Sequence, residues 1–358
     1  MHGRDDESVS FKAMTDRRPP RGNGPKRLQM ADIARLAGVS TATVSRALNN
    51  SPLVTDETRT RIAELARSLN YTINVDAKNL RLRQNRTIAM VVPYDPAARQ
   101  RVSDPFFLSM LGSVADVLTE RGYALLLSRV EAADLQSAAQ LYDSGRAVGV
   151  IVVGQWRQHA VLDALADRGV PLVVWGGQLP AQRYCTVGCD NVAGGDMATD
   201  HLLLSGRRRI AFFGDVELPE VALRRTGYRQ ALVRHGVAAN PALELHASFL
   251  PDGARAAVDR LLASGEPFDA IFACSDVMAM TAIGALQERG LRVPQDVAVV
   301  GYDDVPMASY FHPPLTTIRQ AIDAGGRALV DALLEQVDSG SIPASRIVAT
   351  ELVIRGSS

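Results

Sequence analysis

Apolar positions follow two rhythms along this chain, and the change comes near residue 87. Before it the spacing is helical. Ile33, Ala34 and Ala37 line one stripe of a first helix, and Gly38 ends it, because glycine enters the left-handed conformation without a steric cost. Ser40 sits where an N-cap belongs, with an oxygen that can take a free amide of the next turn. Val44 and Leu48 form the expected buried face of a second helix, leaving Thr41, Ala42, Thr43, Ser45, Arg46 and Asn49 outside. A third helix follows, with Thr55 as N-cap, Asp56 and Glu57 in its first turn and Ile62, Leu65, Ala66 and Leu69 as its apolar side.

From Thr87 onward, short apolar runs alternate with amphipathic segments. The strand-like runs are Ile88–Val92, Ala124–Leu127, Val150–Val153, Leu172–Trp175, Ile210–Phe213, Ala270–Ala273 and Val297–Gly301. The helix-length segments are Phe106–Arg121, Trp156–Arg168, Val192–Leu204, Leu223–His235 and Val277–Arg289. Apolar strands bounded by helices predict parallel sheets covered on both faces. Such sheets bind ligands at the carboxyl ends of their strands.

The two short helices before residue 50 read as a helix-turn-helix. The outward set on the second is short, polar and mildly cationic, which suits a major groove; a helical hairpin with a solvated face is the plain alternative. Charge supports the first reading once the chain is divided. The whole is neutral, with 39 basic and 39 acidic residues. Residues 1–86 hold 16 basic and 9 acidic residues, a net of +7, and the remainder carries −7. A basic head on an acidic body is the distribution that phosphate contact requires.

Other classes are disfavoured. No apolar run approaches the ~18 residues of a membrane span, and the N-terminal residues lack a signal peptide's apolar stretch, so a cytoplasmic protein is expected. Residues 1–27, rich in Arg, Pro and Gly, are expected to form a disordered basic arm. Cys185, Cys189 and Cys274 are too few for a disulfide framework, and no histidine completes a metal site near the first two. We find no catalytic motif: no G-x-S-x-G elbow, phosphate loop or dinucleotide fingerprint. No enzyme activity, metal or cofactor is expected.

The run AGVSTATVSRALNN, the later Tyr71, Asn74, Ala77 and Leu80, and motifs further along resemble the lactose-repressor (LacI/GalR) family of bacterial transcription regulators over residues 28 to 355. The resemblance implies an all-α helix-turn-helix head at 28–72, a hinge helix and linker at 73–86, and an effector domain at 87–358. That domain would be two doubly wound parallel-sheet lobes of the periplasmic-binding-protein type I fold, lobe 1 being about 87–190 plus 321–338 and lobe 2 about 191–320 plus 339–358. It further implies a homodimer on near-palindromic operator DNA, repressing under the control of a small-molecule effector in the inter-lobe cleft. No leucine heptad follows Ile347–Ile354, so a dimer is expected rather than a tetramer.

Site residues carry over by position. DNA contact is expected from Ser40, Thr41, Ala42, Thr43, Ser45, Arg46 and Asn49, with Asn74, Ala77 and Leu80 of the hinge, where Leu80 would wedge into the minor groove. The effector would meet Asp104, Phe106, Phe107, Gln155, Trp156, Trp175, Asp190, Arg224, Phe249, Ser275, Asp303 and Gln320. Trp175, Phe106 and Phe249 offer faces for sugar CH groups, and Asp190, Arg224, Asp303 and Gln320 offer partners for hydroxyls. The chain departs from the family at Val174-Trp175-Gly176-Gly177, where Ile-Asp-Arg is common near residues 174–176, and at Ser275, Ile73, Asp76 and Gln29. A carbohydrate effector is the first expectation. The alternatives are a nucleobase corepressor, or a solute-binding receptor with no DNA function.

Overall fold

The computed structural model describes residues 29–48, 51–69, 85–96 and 101–358. The expected arm, most of the hinge, and Asn49, Asn74, Ala77 and Leu80 lie outside them. The chain divides into two units, residues 1–82 and 83–358.

In the first unit, α1 (Met30–Ala37), α2 (Thr41–Leu48) and α3 (Asp56–Ser68) enclose a small core of Ile33, Ala34, Val44, Ala47, Val54 and Ile62. Asp32 accepts the backbone N–H of Gln29 at 3.0 Å, which fastens the start of α1. Gly38 ends it at φ +65°, as its position predicts. Thr55 caps α3 by accepting the Thr58 N–H at 3.4 Å. One detail corrects the sequence reading: α2 buries Val44 and Ala47, whereas Leu48 is only half-buried. The small Ala47 side chain lets the three helices approach closely, and the larger leucine is displaced to the rim of the core.

The second unit holds two six-stranded sheets. Sheet 1 contains β1 (Thr87–Tyr94), β2 (Ala124–Glu131), β3 (Gly149–Val153), β4 (Leu172–Trp175), β5 (Cys185–Cys189) and β11 (Arg346–Val348), in the order β11-β5-β4-β3-β1-β2 and wholly parallel. Sheet 2 contains β6 (Ile210–Phe213), β7 (Glu244–Leu245), β8 (Ala270–Ala273), β9 (Ala298–Asp303), β10 (Thr316–Gln320) and β12 (Thr350–Val353), in the order β12-β10-β9-β8-β6-β7. Only β12 runs antiparallel to its neighbour. The helices are α4 (Pro105–Glu120), α5 (Ala139–Asp143), α6 (His159–Asp167), α7 (Asn191–Leu204), α8 (Pro219–Arg234), α9 (Pro251–Ser264), α10 (Asp276–Gln287) and α11 (Ile322–Ser339). Every residue of β3, β4, β6 and β8 is buried. That is why these strands read as unbroken apolar runs, each large side chain contributing ~1.5–3 kcal/mol on burial.

Strand order reverses between β1 and β3 in sheet 1, and between β6 and β8 in sheet 2. Ligand crevices of open α/β sheets form at such points. The chain crosses between the sheets after Cys189, after Gln320, and between Val348 and Thr350. The last crossing falls later than residue 339, where lobe 2 was expected to resume. The run Ile347–Ile354 reads as one strand in sequence, but Ala349 breaks it, and its halves join different sheets.

Candidate functional site

On the head, the turn before α2 is built as the sequence suggests. Ser40 Oγ accepts the Thr43 N–H at 3.1 Å, and its carbonyl accepts the Val44 N–H at 3.1 Å. The Thr43 hydroxyl is 2.9 Å from Ser40 Oγ, so it is engaged in the cap. Thr41, Ala42 and Arg46 are exposed, while Thr43 and Ser45 are half-buried. Arg46 forms no side-chain ion pair among the described residues, and its guanidinium is presented outward from the second helix.

In the second unit a cleft opens where both sheets reverse order. Its lining comes from the loop and helix after β1 (Asp104, Phe106, Phe107), the ends of β3 and β4 (Val153, Gly154, Trp156, Trp175) and the segment after β6 (Leu218, Glu220, Arg224). Phe249, Ser275, Asp303 and Gln320 complete it. Asp104 caps α4 by accepting the Phe106 N–H at 2.9 Å, which brings Phe106 to 6.3 Å from Trp175, centroid to centroid.

Arg224 is the most constrained group. Its Nε donates to Asn191 Oδ1 at 2.8 Å, one terminal nitrogen donates to the Cys274 carbonyl at 2.7 Å, and its carbon lies 3.7 Å from the Tyr302 ring centroid. A close crossing of α7 and α8 places it. A Cβ on Gly227 would come within 2.0 Å of the Val192 carbonyl, and one on Gly195 within 2.1 Å of the Arg224 carbonyl. No carboxylate lies within ion-pairing distance of Arg224 among the described residues. Asp303 is buried too, and it accepts a hydrogen bond from the Gln320 amide at 2.6 Å.

Burial raises the Asp303 carboxyl above the usual carboxylate range, and the Arg224 charge opposes this. Burial likewise raises Asp104, against the N–H groups of Phe106 and Phe107, and Glu220, against the N–H of Gln155. Backbone strain collects here as well. Trp156, Asp303 and Asp304 all have positive φ, at 49°, 123° and 56°. Such conformations persist where the surroundings over-determine them, as at ligand sites.

Two expected site residues lie elsewhere. Gln155 is fully buried behind the cleft. Its amide donates to the Gly177 carbonyl at 2.8 Å and the Tyr184 hydroxyl at 3.0 Å, and accepts the Gly177 N–H at 3.0 Å. It braces the wall, because a long amide in a fully enclosed place must satisfy itself internally. Asp190 is exposed, caps α7 through the Ala193 N–H at 2.9 Å, and lines a separate cavity with Ser345 and Arg346. Trp175 reaches the cleft, but it is only 5% exposed and its ring covers Gly325. The sequence reading missed Glu220, Leu218 and Tyr302. Glu220 was detectable: Pro219 is a favoured first helical residue, and starting α8 there places Glu220 one turn before Arg224.

A compact head that presents a capped, outward-facing helix, and a two-lobed unit with a cleft lined by aromatic and charged groups, together define a ligand-responsive DNA-binding regulator. Residues 29–74 match the bacterial regulatory proteins of the lacI family, and residues 199–358 match the periplasmic binding protein-like domain. The chain is 33% identical to the HTH-type transcriptional regulator CelR of Thermobifida fusca over 330 residues, covering 91% of this chain and 96% of CelR. It is 32% identical to the HTH-type transcriptional repressor PurR of Haemophilus influenzae over 336 residues, covering 91% and 97%. The chain belongs to the LacI family of transcriptional regulators. Among solved structures, a CelR–cellobiose complex covers 93% of this chain and all of that one, with TM-score 0.70 and 31% identity. The lac repressor dimer bound to operator and the anti-inducer ONPF covers 93% and 99%, with TM-score 0.82 and 25% identity.

Proposed function

We propose that this regulator binds a near-palindromic operator as a homodimer, reads bases with Thr41, Ala42 and Arg46, and is controlled by a sugar held in the cleft. The observation that carries the effector assignment is the pair of buried, oppositely charged groups, Arg224 and Asp303, that face one cavity without an ion pair between them. A buried charge needs a partner, and a ligand with several hydroxyls can donate to one and accept from the other. The aromatic residues Phe106 and Trp156 supply the flat faces that a sugar ring's CH groups require. Among the relatives, the solved CelR complex holds cellobiose, and a ribose operon repressor of Haemophilus influenzae is 32% identical.

The effector half is tested by thermal melting against saccharides and nucleobases. A ligand at a hundredfold excess over its Kd stabilises the fold by ~2.7 kcal/mol. Melting shifted by a nucleobase and by no saccharide overturns the sugar reading. The DNA half is tested with Arg46→Ala in a mobility-shift assay. Specific binding is expected to fall by ~1–3 kcal/mol, with a much smaller change on random duplex; equal losses on both would refute base reading. Light scattering at micromolar concentration is expected to give a dimer.

A further inference from the structure

The cleft continues outward into a second chamber, formed in part by Ala133, Arg157, Asp215 and Ser248. The two chambers share three lining residues, Trp156, Leu218 and Phe249. Each chamber sets charged groups among apolar lining, and the three residues the chambers share form an apolar collar between them. The collar is a built feature. Gly154 turns the chain beside the Trp156 indole at φ +92°, a backbone conformation that favours glycine. Trp156 itself is held at positive φ, a conformation that persists where its surroundings over-determine it.

Charge narrows what fits. The inner chamber is lined by three carboxyl groups, Asp104, Glu220 and Asp303, against one guanidinium, Arg224. In the outer chamber Arg157 pairs with Asp215 at 3.0 Å and Glu217 at 2.5 Å, so that cation is already committed. An anionic ligand would meet like charge in both chambers, which acts against phosphorylated or acidic sugars. Carboxylates accept hydrogen bonds from neutral hydroxyls at either end, and the collar faces the least polar part of a linked molecule.

Resting on the sugar reading, we propose that the effector is a neutral two-ring saccharide. One ring occupies the inner chamber, the second the outer, and the glycosidic link passes the collar of Trp156, Leu218 and Phe249. The outer chamber then sets specificity for chain length.

The test is isothermal titration of the full chain with cellobiose, maltose, lactose, trehalose and sucrose, with their component glucose, galactose and fructose, and with adenine and hypoxanthine. At least one disaccharide is expected to bind about tenfold or more tightly than its component monosaccharides, a difference of ~1.4 kcal/mol. Ala133→Trp, a change at an exposed position lining only the outer chamber, is expected to abolish that preference and leave monosaccharide binding within about twofold. Equal affinity for disaccharides and monosaccharides in the parent overturns the inference and leaves the sugar reading standing. So does an unchanged preference, or loss of both ligands, in a variant folded by circular dichroism. Binding of a nucleobase with no saccharide bound, or no binding by any of these probes, overturns the sugar reading and the inference together.

Discussion

The two walls of the cleft are made differently. The wall from sheet 1 is largely aromatic: Phe106, Phe107, Trp156 and Trp175, with Asp104 as its one charged member. The wall from sheet 2 carries Glu220, Arg224, Ser275, Asp303 and Gln320, with Leu218 and Phe249 at the collar. One side offers area and shape and the other offers directed polar groups, so neither alone defines a site. The difference extends to stability. The aromatic wall is packed on an apolar core, while the polar wall is held by directed hydrogen bonds, among them those of Arg224 to Asn191 and the Cys274 carbonyl and that of Gln320 to Asp303.

This contrast can be broken most forcefully at Arg224. Arg224→Met removes the partner of Asn191 and the Cys274 carbonyl and leaves the buried Asp303 without a nearby cation. Unfolding in urea is expected to lose on the order of 3 kcal/mol, together with all ligand response. A variant as stable as the parent would show that the polar wall is not built around this residue. Next is Gly227→Ala, which forces a methyl group against the Val192 carbonyl. Overpacking there is expected to cost ~1–3 kcal/mol and to weaken ligand binding by displacing α8.

Phe106→Leu sharpens the contrast from the other side. Phe106 is only half-buried, so removing part of its ring is expected to cost less than ~1.5 kcal/mol of stability, while calorimetric affinity falls several-fold. A stability loss matching that of Arg224→Met would erase the distinction between the walls. The smallest effect is in pH. Glu220 is raised in the folded state by burial, so the folded chain retains a proton that the unfolded chain has released. Its unfavourable contribution is absent below the ordinary glutamate range and grows as pH rises toward the folded value. Glu220→Gln keeps an acceptor for the Gln155 N–H, which now lies 3.1 Å from the carboxylate. It is therefore expected to raise the melting temperature more at pH 8 than at pH 5. A constant difference across that range would argue against a buried carboxyl at 220.

Much of this arrangement can be read from the chain, and what cannot has physical causes. Strands buried on both faces advertise themselves through Val, Ile and Phe. Beta strands 5 and 10 do not, because Thr186, Thr316 and Thr317 are buried with satisfied hydroxyls: Thr317 donates to Asp276, and Ser345 lies 3.1 Å from the Thr186 hydroxyl. A polar residue with an internal partner is silent in an apolar pattern. Asp104 and Ser275 were legible as helix caps beside strand ends. Gln155 was misplaced because one residue separates a backbone turn that faces the ligand from a side chain pointing behind it. Asp190 was misplaced for a related reason, its carboxylate being occupied at its own helix terminus. Tyr302 sits inside a strand that looks like ordinary core, and only the three-dimensional position of Arg224 gives it a role.

The split at Ala349 bears on how the polypeptide is made. A ribosome delivers residues in order, and early segments begin to fold while later ones are still being synthesised. Sheet 1 opens at Thr87 but receives its edge strand from Arg346–Val348, and sheet 2 receives Thr350–Val353 directly afterwards. Both lobes thus wait for an outermost strand until nearly the same moment of translation. A nascent chain stalled before residue 345 leaves β5 and β10 outermost, strands that are covered in the finished sheets and whose free edges can then pair with other chains. Completion of one lobe and of the other become a single event in the life of the molecule.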